Sequence, residues 1–283
     1  MRENSLFFPL PLSNIFSHYR YQTKRISFPS LFLHRNVLLD LVYPAQKLFN
    51  YADCSFLFLN DGQDLKSLHY LKILEELNRN KRVMNLITIA IHAGERIQEY
   101  GVSGIPDYKG RGSQAGDYQD FLVSELFPFI ENFFKLKLDP LRTAITGFSL
   151  GGLSAFDFAW DHSEKVSKVG VFSGSFWWRT KALGPDYKES DRIIHQKVEI
   201  SSRKPALKFW LQVGTLDEES DRNHNGVIDS IDDTLDLISV LQTKGFQEGK
   251  DIQYVEVKGG EHNQKTWSMV MPEFLEWAFA SEF

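Results

Sequence analysis

The chain contains one cysteine, Cys54, so no intrachain disulfide can form and secretion gains no support from cysteine usage. No apolar run approaches the length of a membrane-spanning helix. No basic tract stands out: the net charge is −5 and the pI about 5.9, which makes nucleic acid and anionic membrane surfaces poor default partners. Internal repeats and linkers rich in Pro, Gly or Ser are also lacking. The first residues, Met1 to Leu12, hold a short apolar run broken by Pro9 and Pro11, and no small-residue cleavage site follows, so they make a poor signal peptide. These absences leave a soluble, cytoplasmic enzyme or binding protein as the expectation.

What is present suits one large α/β domain. The 283 residues are 42 % apolar and 14 % aromatic, enough for a substantial core. Residues 1–22 read as an arm and residues 23–283 as a single domain. Strands are expected at Ile26–Phe28, Asn36–Val42, Ser55–Leu59, Asn85–Ile91, Val169–Phe172, Lys208–Val213 and Ile252–Val257. Helical spacing covers Leu65–Leu77, Tyr118–Phe134, Asp229–Thr243 and Thr266–Ala280, with Ile231, Leu235, Ile238 and Leu241 as the apolar stripe of the third. The stretch Ala93–Gln114 is polar, glycine-rich and expected to be irregular. Strands that alternate with helices and are apolar on both faces argue for a mostly parallel sheet with helices on both faces. Reactive groups then belong at the carboxyl ends of the strands.

The most informative stretch is Thr146-Gly147-Phe148-Ser149-Leu150-Gly151-Gly152. A β-prone run leads into Gly-x-Ser-x-Gly, and a helix-prone run begins at Leu153. In that setting the motif forms a nucleophile elbow, where Gly147 and Gly151 keep the strand and helix backbones from colliding with Cβ atoms. A serine there needs a base to take its proton and an acid to orient the base. The partners follow in the order Ser, Asp or Glu, His. Of the eight histidines, only His224 and His262 follow both Ser149 and the strand Lys208–Val213. His262 comes directly after the last strand, in Gly259-Gly260-Glu261-His262. The acid belongs after Lys208–Val213, where Asp217, Glu218 and Glu219 are all available and spacing alone does not choose. One oxyanion donor is the backbone N–H of Leu150. The second is expected from the turn Asn60-Asp61-Gly62-Gln63, with Gln63 N–H as the choice.

With these pieces in place, the chain resembles the putative-esterase family of α/β-hydrolases, which includes enterochelin esterases, S-formylglutathione hydrolases, feruloyl esterase domains and mycolyltransferases. The resemblance runs from about Ile26 onward. It is carried by Asn60-Asp61-Gly62-Gln63, by Tyr118 to Ile130 with Glu125-Leu126-Phe127-Pro128, and by the elbow. It continues in Ser173-Gly174-Ser175-Phe176-Trp177-Trp178, Gly214-Thr215-Leu216-Asp217, and Gly259-Gly260-Glu261-His262 with Trp267 behind it. It implies an α/β-hydrolase fold, Ser149 as nucleophile, His262 as base and Asp217 as acid. It also implies that Trp177, Trp178 and the Ala93–Gln114 loop line the substrate pocket, with Arg96 meeting an anionic or polar substrate group. The expected partner is a small-molecule ester, with no organic cofactor. An acyltransferase with the same triad, or a non-catalytic binding module on this fold, are the rival readings.

A second motif follows the acid. Asp221-Arg222-Asn223-His224-Asn225-Gly226-Val227-Ile228-Asp229-Ser230-Ile231-Asp232 matches the calcium-loop pattern D-x-[DN]-x-[DN]-G with an acid at position twelve. Asp221, Asn223 and Asn225 supply alternating hard oxygens, Val227 its carbonyl, Asp229 a direct or water-mediated contact, and Asp232 closes the set. The last ligand is Asp rather than Glu, as in dockerin-type loops, and a strand rather than a helix precedes the loop. A structural Ca2+ that pins the segment carrying Asp217 is the expectation. Zinc suits the nearly all-oxygen ligand set less well.

Overall fold

The computed structural model describes residues 20–45 and 51–280. Eight strands make one sheet in the order β1-β2-β4-β3-β5-β6-β7-β8. They are β1 (Tyr21–Ser30), β2 (Arg35–Pro44), β3 (Ser55–Asn60), β4 (Leu86–Ile91), β5 (Thr143–Phe148), β6 (Lys168–Phe172), β7 (Lys208–Leu216) and β8 (Ile252–Glu261). The pairs β1–β2 and β2–β4 are antiparallel and every later pair is parallel. The mostly parallel α/β sheet expected from the alternating pattern is therefore present.

Each central strand is buried along its length because alternate side chains feed two separate cores. Phe56 and Phe58 of β3 and Ile87, Ile89 and Ile91 of β4 point into one core, and Leu57, Leu59, Leu86 and Ala90 into the other. The first core is closed by α3 (Ala115–Asp120), a π-helical turn (Phe121–Leu126), α4 (Phe127–Phe134), α5 (Leu150–Asp161), α6 (Ile193–Ile200) and α7 (Asp229–Thr243). The second is closed by α1 (Tyr70–Arg79) and α8 (Gln264–Phe279). The remaining helix, α2 (Arg96–Glu99), is a single turn in the otherwise irregular Ala93–Gln114 stretch. Among the described residues, no helix is long and apolar enough to cross a membrane.

Several boundaries differ from expectation for physical reasons. β1 begins at Tyr21, inside the expected arm; residues 1–19 of that arm lie outside the described residues. β1 is an edge strand that is largely exposed, so Gln22, Thr23, Lys24 and Arg25 give it no apolar run to read. The helix after the elbow begins at Leu150, because the glycines expected to delay it are tolerated in its first turn. In α7, Leu235 is 40 % exposed; Thr234 and Leu237 join Ile231, Ile238 and Leu241 on the buried side.

Candidate active site

The parallel strands deliver their next residues to one edge of the sheet. Ser149 follows β5, Ser173 and Ser175 follow β6, Asp217 follows β7, His262 follows β8, and the Asp61–Gln63 turn follows β3. Ser149, Ser175, Asp217, His262 and Trp177 line one cavity of about 340 Å³.

Ser149 has φ 53° and ψ −119°, a backbone region that L-residues rarely occupy and that costs of order 1–3 kcal/mol. Surrounding contacts hold it there. Its N–H donates to Phe172 O at 2.8 Å, and its carbonyl accepts from Ser175 N–H at 3.2 Å. The glycines are needed for the approach: a Cβ on Gly147 would lie 2.3 Å from Gly151 O, and one on Gly151 would lie 2.5 Å from Asp61 Oδ2. The Ser149 hydroxyl is 3.2 Å from that of Ser175. Leu150 opens α5 and Gln63 lies in the 3-10 turn Gly62–Asp64, so both backbone N–H groups belong to helix starts that the helices themselves leave unpaired.

His262 Nδ1 lies 4.0 Å from Asp217 Oδ2, with 39 % of the His262 side chain and none of the Asp217 side chain exposed. Enough protein surrounds the imidazole that lost hydration lowers its pKa; the Asp217 charge opposes this and Arg96 adds to it. Burial raises the Asp217 pKa, against the Gly214 N–H, the Ser173 hydroxyl and the His262 charge. Asn263 caps α8 by accepting from Thr266 N–H, which fixes the chain immediately after His262.

Arg96, expected to meet a polar substrate group, is held by an ion pair with its side chain 37 % exposed. Its Nε and Nη2 donate to Asp61 Oδ1 and Oδ2 at 2.8 and 2.9 Å, and Nη2 also donates to Phe148 O at 3.1 Å. Gln63 Nε2 shares Asp61 Oδ1 at 2.9 Å, while Gln63 Oε1 accepts from Ala93 N–H at 3.1 Å. The guanidinium thus ties the Asp61–Gln63 turn to the end of β5. The two tryptophans separate: Trp177 lines the cavity, while Trp178 is fully buried beneath Arg111, 4.8 Å from its ring centroid, and meets no solvent from which a substrate could reach it. Ser175, and the Trp267–Ser173 hydrogen bond of 2.9 Å, were not foreseen from the sequence. Their motif was visible, but a role for a serine 94 positions from its partner leaves no local pattern.

The segment Asp221–Asp232 folds into a self-bonded loop. Asp221 accepts from the N–H groups of Asn225 and Gly226 at 3.2 and 2.9 Å, and Val227 N–H donates to Asn225 Oδ1 at 2.7 Å. Asp232 Oδ2 accepts from the amides of Asn223 and Asn225 at 2.8 and 2.9 Å. Asp229 is drawn instead to Arg222, whose N–H and Nη1 lie 2.8 and 3.1 Å away. Among the described residues, no group of three His, Cys, Asp or Glu side chains is gathered as a metal site.

A strained serine at the end of β5, with a shielded carboxyl after β7 and a histidine after β8, sits at the carboxyl ends of the strands of an α/β-hydrolase fold. The chain belongs to the Putative esterase family, whose model matches residues 43–278. It is similar to the enterobactin esterase of Shigella flexneri at 18 % identity and a TM-score of 0.68, covering 91 % of this chain and 59 % of that one. The chain therefore spans about three-fifths of that enzyme's length. It is also similar to a ferulic acid esterase, with 15 % identity, TM-score 0.68, and 92 % and 98 % of the two chains covered. An IroE-like serine hydrolase from Shewanella oneidensis gives 18 % identity, TM-score 0.62, and 92 % and 80 %.

Proposed function

We propose that the protein hydrolyses a small-molecule carboxylic ester through an acyl-enzyme. Ser149 Oγ attacks the ester carbonyl as His262 takes its proton, and Asp217 orients the imidazole and stabilises its charged form. The N–H groups of Leu150 and Gln63 stabilise the oxyanion. His262 returns the proton to the departing alcohol, then activates the water that releases the acid. The observation that carries this reading is the strained Ser149 sharing one cavity with His262 and Asp217. The 4.0 Å between His262 and Asp217 exceeds a hydrogen bond, and such contacts tighten as substrate binds. Trp177 gives the cavity an aromatic wall, which suits an aryl or aromatic acyl group.

Ser149→Ala should abolish turnover of a simple aryl ester and labelling by a fluorophosphonate probe; retention of either refutes the assignment. A library varying acyl length and aromatic character then defines the substrate.

The Asp221–Asp232 loop is proposed to take a structural Ca2+. Its oxygen donors fit that ion in type, and Asp221, Asn223, Asn225 and Asp232 already lie within hydrogen-bond reach of one another. The ion would steady the segment between Asp217 and α7 and would take no part in the chemistry.

A further inference from the structure

Asp217 presents an unresolved demand. Its side chain is shielded from solvent, and neither carboxyl oxygen has a donor in full hydrogen-bond geometry among the described residues, although the Gly214 backbone and the Ser173 hydroxyl lie close enough to favour its charged form. A buried carboxylate left this way is costly, so a donor must close on it in the working enzyme. Ser173 and His262 line the same cavity as Asp217, and the Ser173 hydroxyl is the side-chain donor beside the carboxyl other than His262.

Ser173 is built to be that donor. It follows β6 with φ +48°, and its N–H is anchored on Gln212 O at 2.8 Å. Its Oγ accepts from Trp267 Nε1 at 2.9 Å. An indole N–H can only donate, so this bond makes the serine oxygen an acceptor and turns its proton away from Trp267. The same indole packs against His262, with ring centroids 5.4 Å apart and planes at 76°. One buried side chain therefore touches both the base and the group beside the acid.

We infer that Trp267 and Ser173 form a positioning relay: the indole N–H orients the Ser173 hydroxyl to donate to Asp217, while the indole ring sets the plane of His262. The inference rests on the triad reading above. Neither residue touches the reacting atoms. Removing the hydroxyl takes a donor from the carboxylate and raises the proton affinity of the coupled Asp217–His262 pair. The other charged groups at this site are Arg96, which lowers the His262 pKa, and Glu218, which lines the same cavity. Neither is altered by the variants below.

The test compares Ser173→Ala, Trp267→Phe and the double variant by kcat, KM and the pH profile of kcat/KM on an aryl ester. Trp267→Phe keeps an aromatic ring beside His262 and deletes the N–H along with part of the indole's bulk, so Ser173→Ala is the cleaner of the two variants. Each single variant should lower kcat about tenfold with KM little changed, the scale of one hydrogen bond to a charged group. Each should also move the acid limb of the profile to higher pH by about half a unit or more. The double variant should be no worse than the more impaired single one, because both act through one path. An unmoved acid limb in Ser173→Ala, or losses that add in the double variant, overturns the relay. If Trp267→Phe fails to fold, the limb of Ser173→Ala decides alone. Should Ser149→Ala retain turnover, the triad reading itself fails; wild-type profiles in the Ser173 and Trp267 variants, with Ser149→Ala inactive, refute only the relay.

Discussion

Asp61→Asn isolates the ion pair that ties the turn proposed to hold the oxyanion to the strand end before Ser149. The Asp61 side chain is 2 % exposed and that of Arg96 37 %. The substitution keeps the shape but replaces one carboxylate oxygen by an amide N–H2 that faces a guanidinium donor. It also removes the charge that receives Arg96 at 2.8 and 2.9 Å. Breaking a fully buried pair costs about 3–5 kcal/mol, and the partial exposure of Arg96 lets water recover part of that, leaving about 2 kcal/mol. For a chain of this size, that lowers Tm by roughly 4–8 °C. The Gln63 side chain, which also bonds Asp61, should loosen with it. Displacement of the Gln63 N–H should then lower kcat about tenfold more than any change in KM. Thermal and urea unfolding, with steady-state kinetics, measure both effects. A double-mutant cycle with Arg96→Gln should show a coupling of about 1–2 kcal/mol. A coupling near zero, or a stability loss below about 0.5 kcal/mol, would refute the assignment of the pair as the brace of the turn.

Gly147→Ala should destabilise the fold by at least about 3 kcal/mol, because its Cβ would meet Gly151 O at 2.3 Å and no rotamer relieves a backbone clash; wild-type melting would contradict this. At Gly110, where nothing lies within 4 Å and only φ +74° resists a side chain, Ala should cost about 1 kcal/mol by the same assay. Activity should fall at acid pH as His262 protonates, with a midpoint below the ordinary 6.5, since burial outweighs the Asp217 charge. Arg96→Gln, by removing a cation that lowers that pKa, should move the midpoint upward; a downward move counts against it. Millimolar Ca2+ should raise Tm relative to chelator, and Asp232→Ala should remove the response; identical melting curves in calcium and chelator rule the ion out.

The sheet and the elbow were legible because their demands are local. A strand buried on both faces must be apolar throughout, as β3, β4 and β5 are, and a serine at φ 53° needs glycines two residues either side. The chain order of Ser149, Asp217 and His262 follows from the parallel strands that carry them to one edge. β1 was read short because an exposed edge strand pays no penalty for Lys24 or Arg25.

The sequence by itself determined the class of sheet, the turn at Ser149 and the strand ends that carry Asp217 and His262. Only the tertiary structure decided that Arg96 is committed to Asp61, 35 positions away, and that Trp177 faces the cavity while Trp178 is buried. It alone brought Trp267 onto Ser173 across 94 positions. Backbone strain and strand burial act over a few neighbouring residues and so leave a pattern in the sequence. A hydrogen bond between side chains on different strand ends depends on where the sheet places them, and no local spacing encodes that.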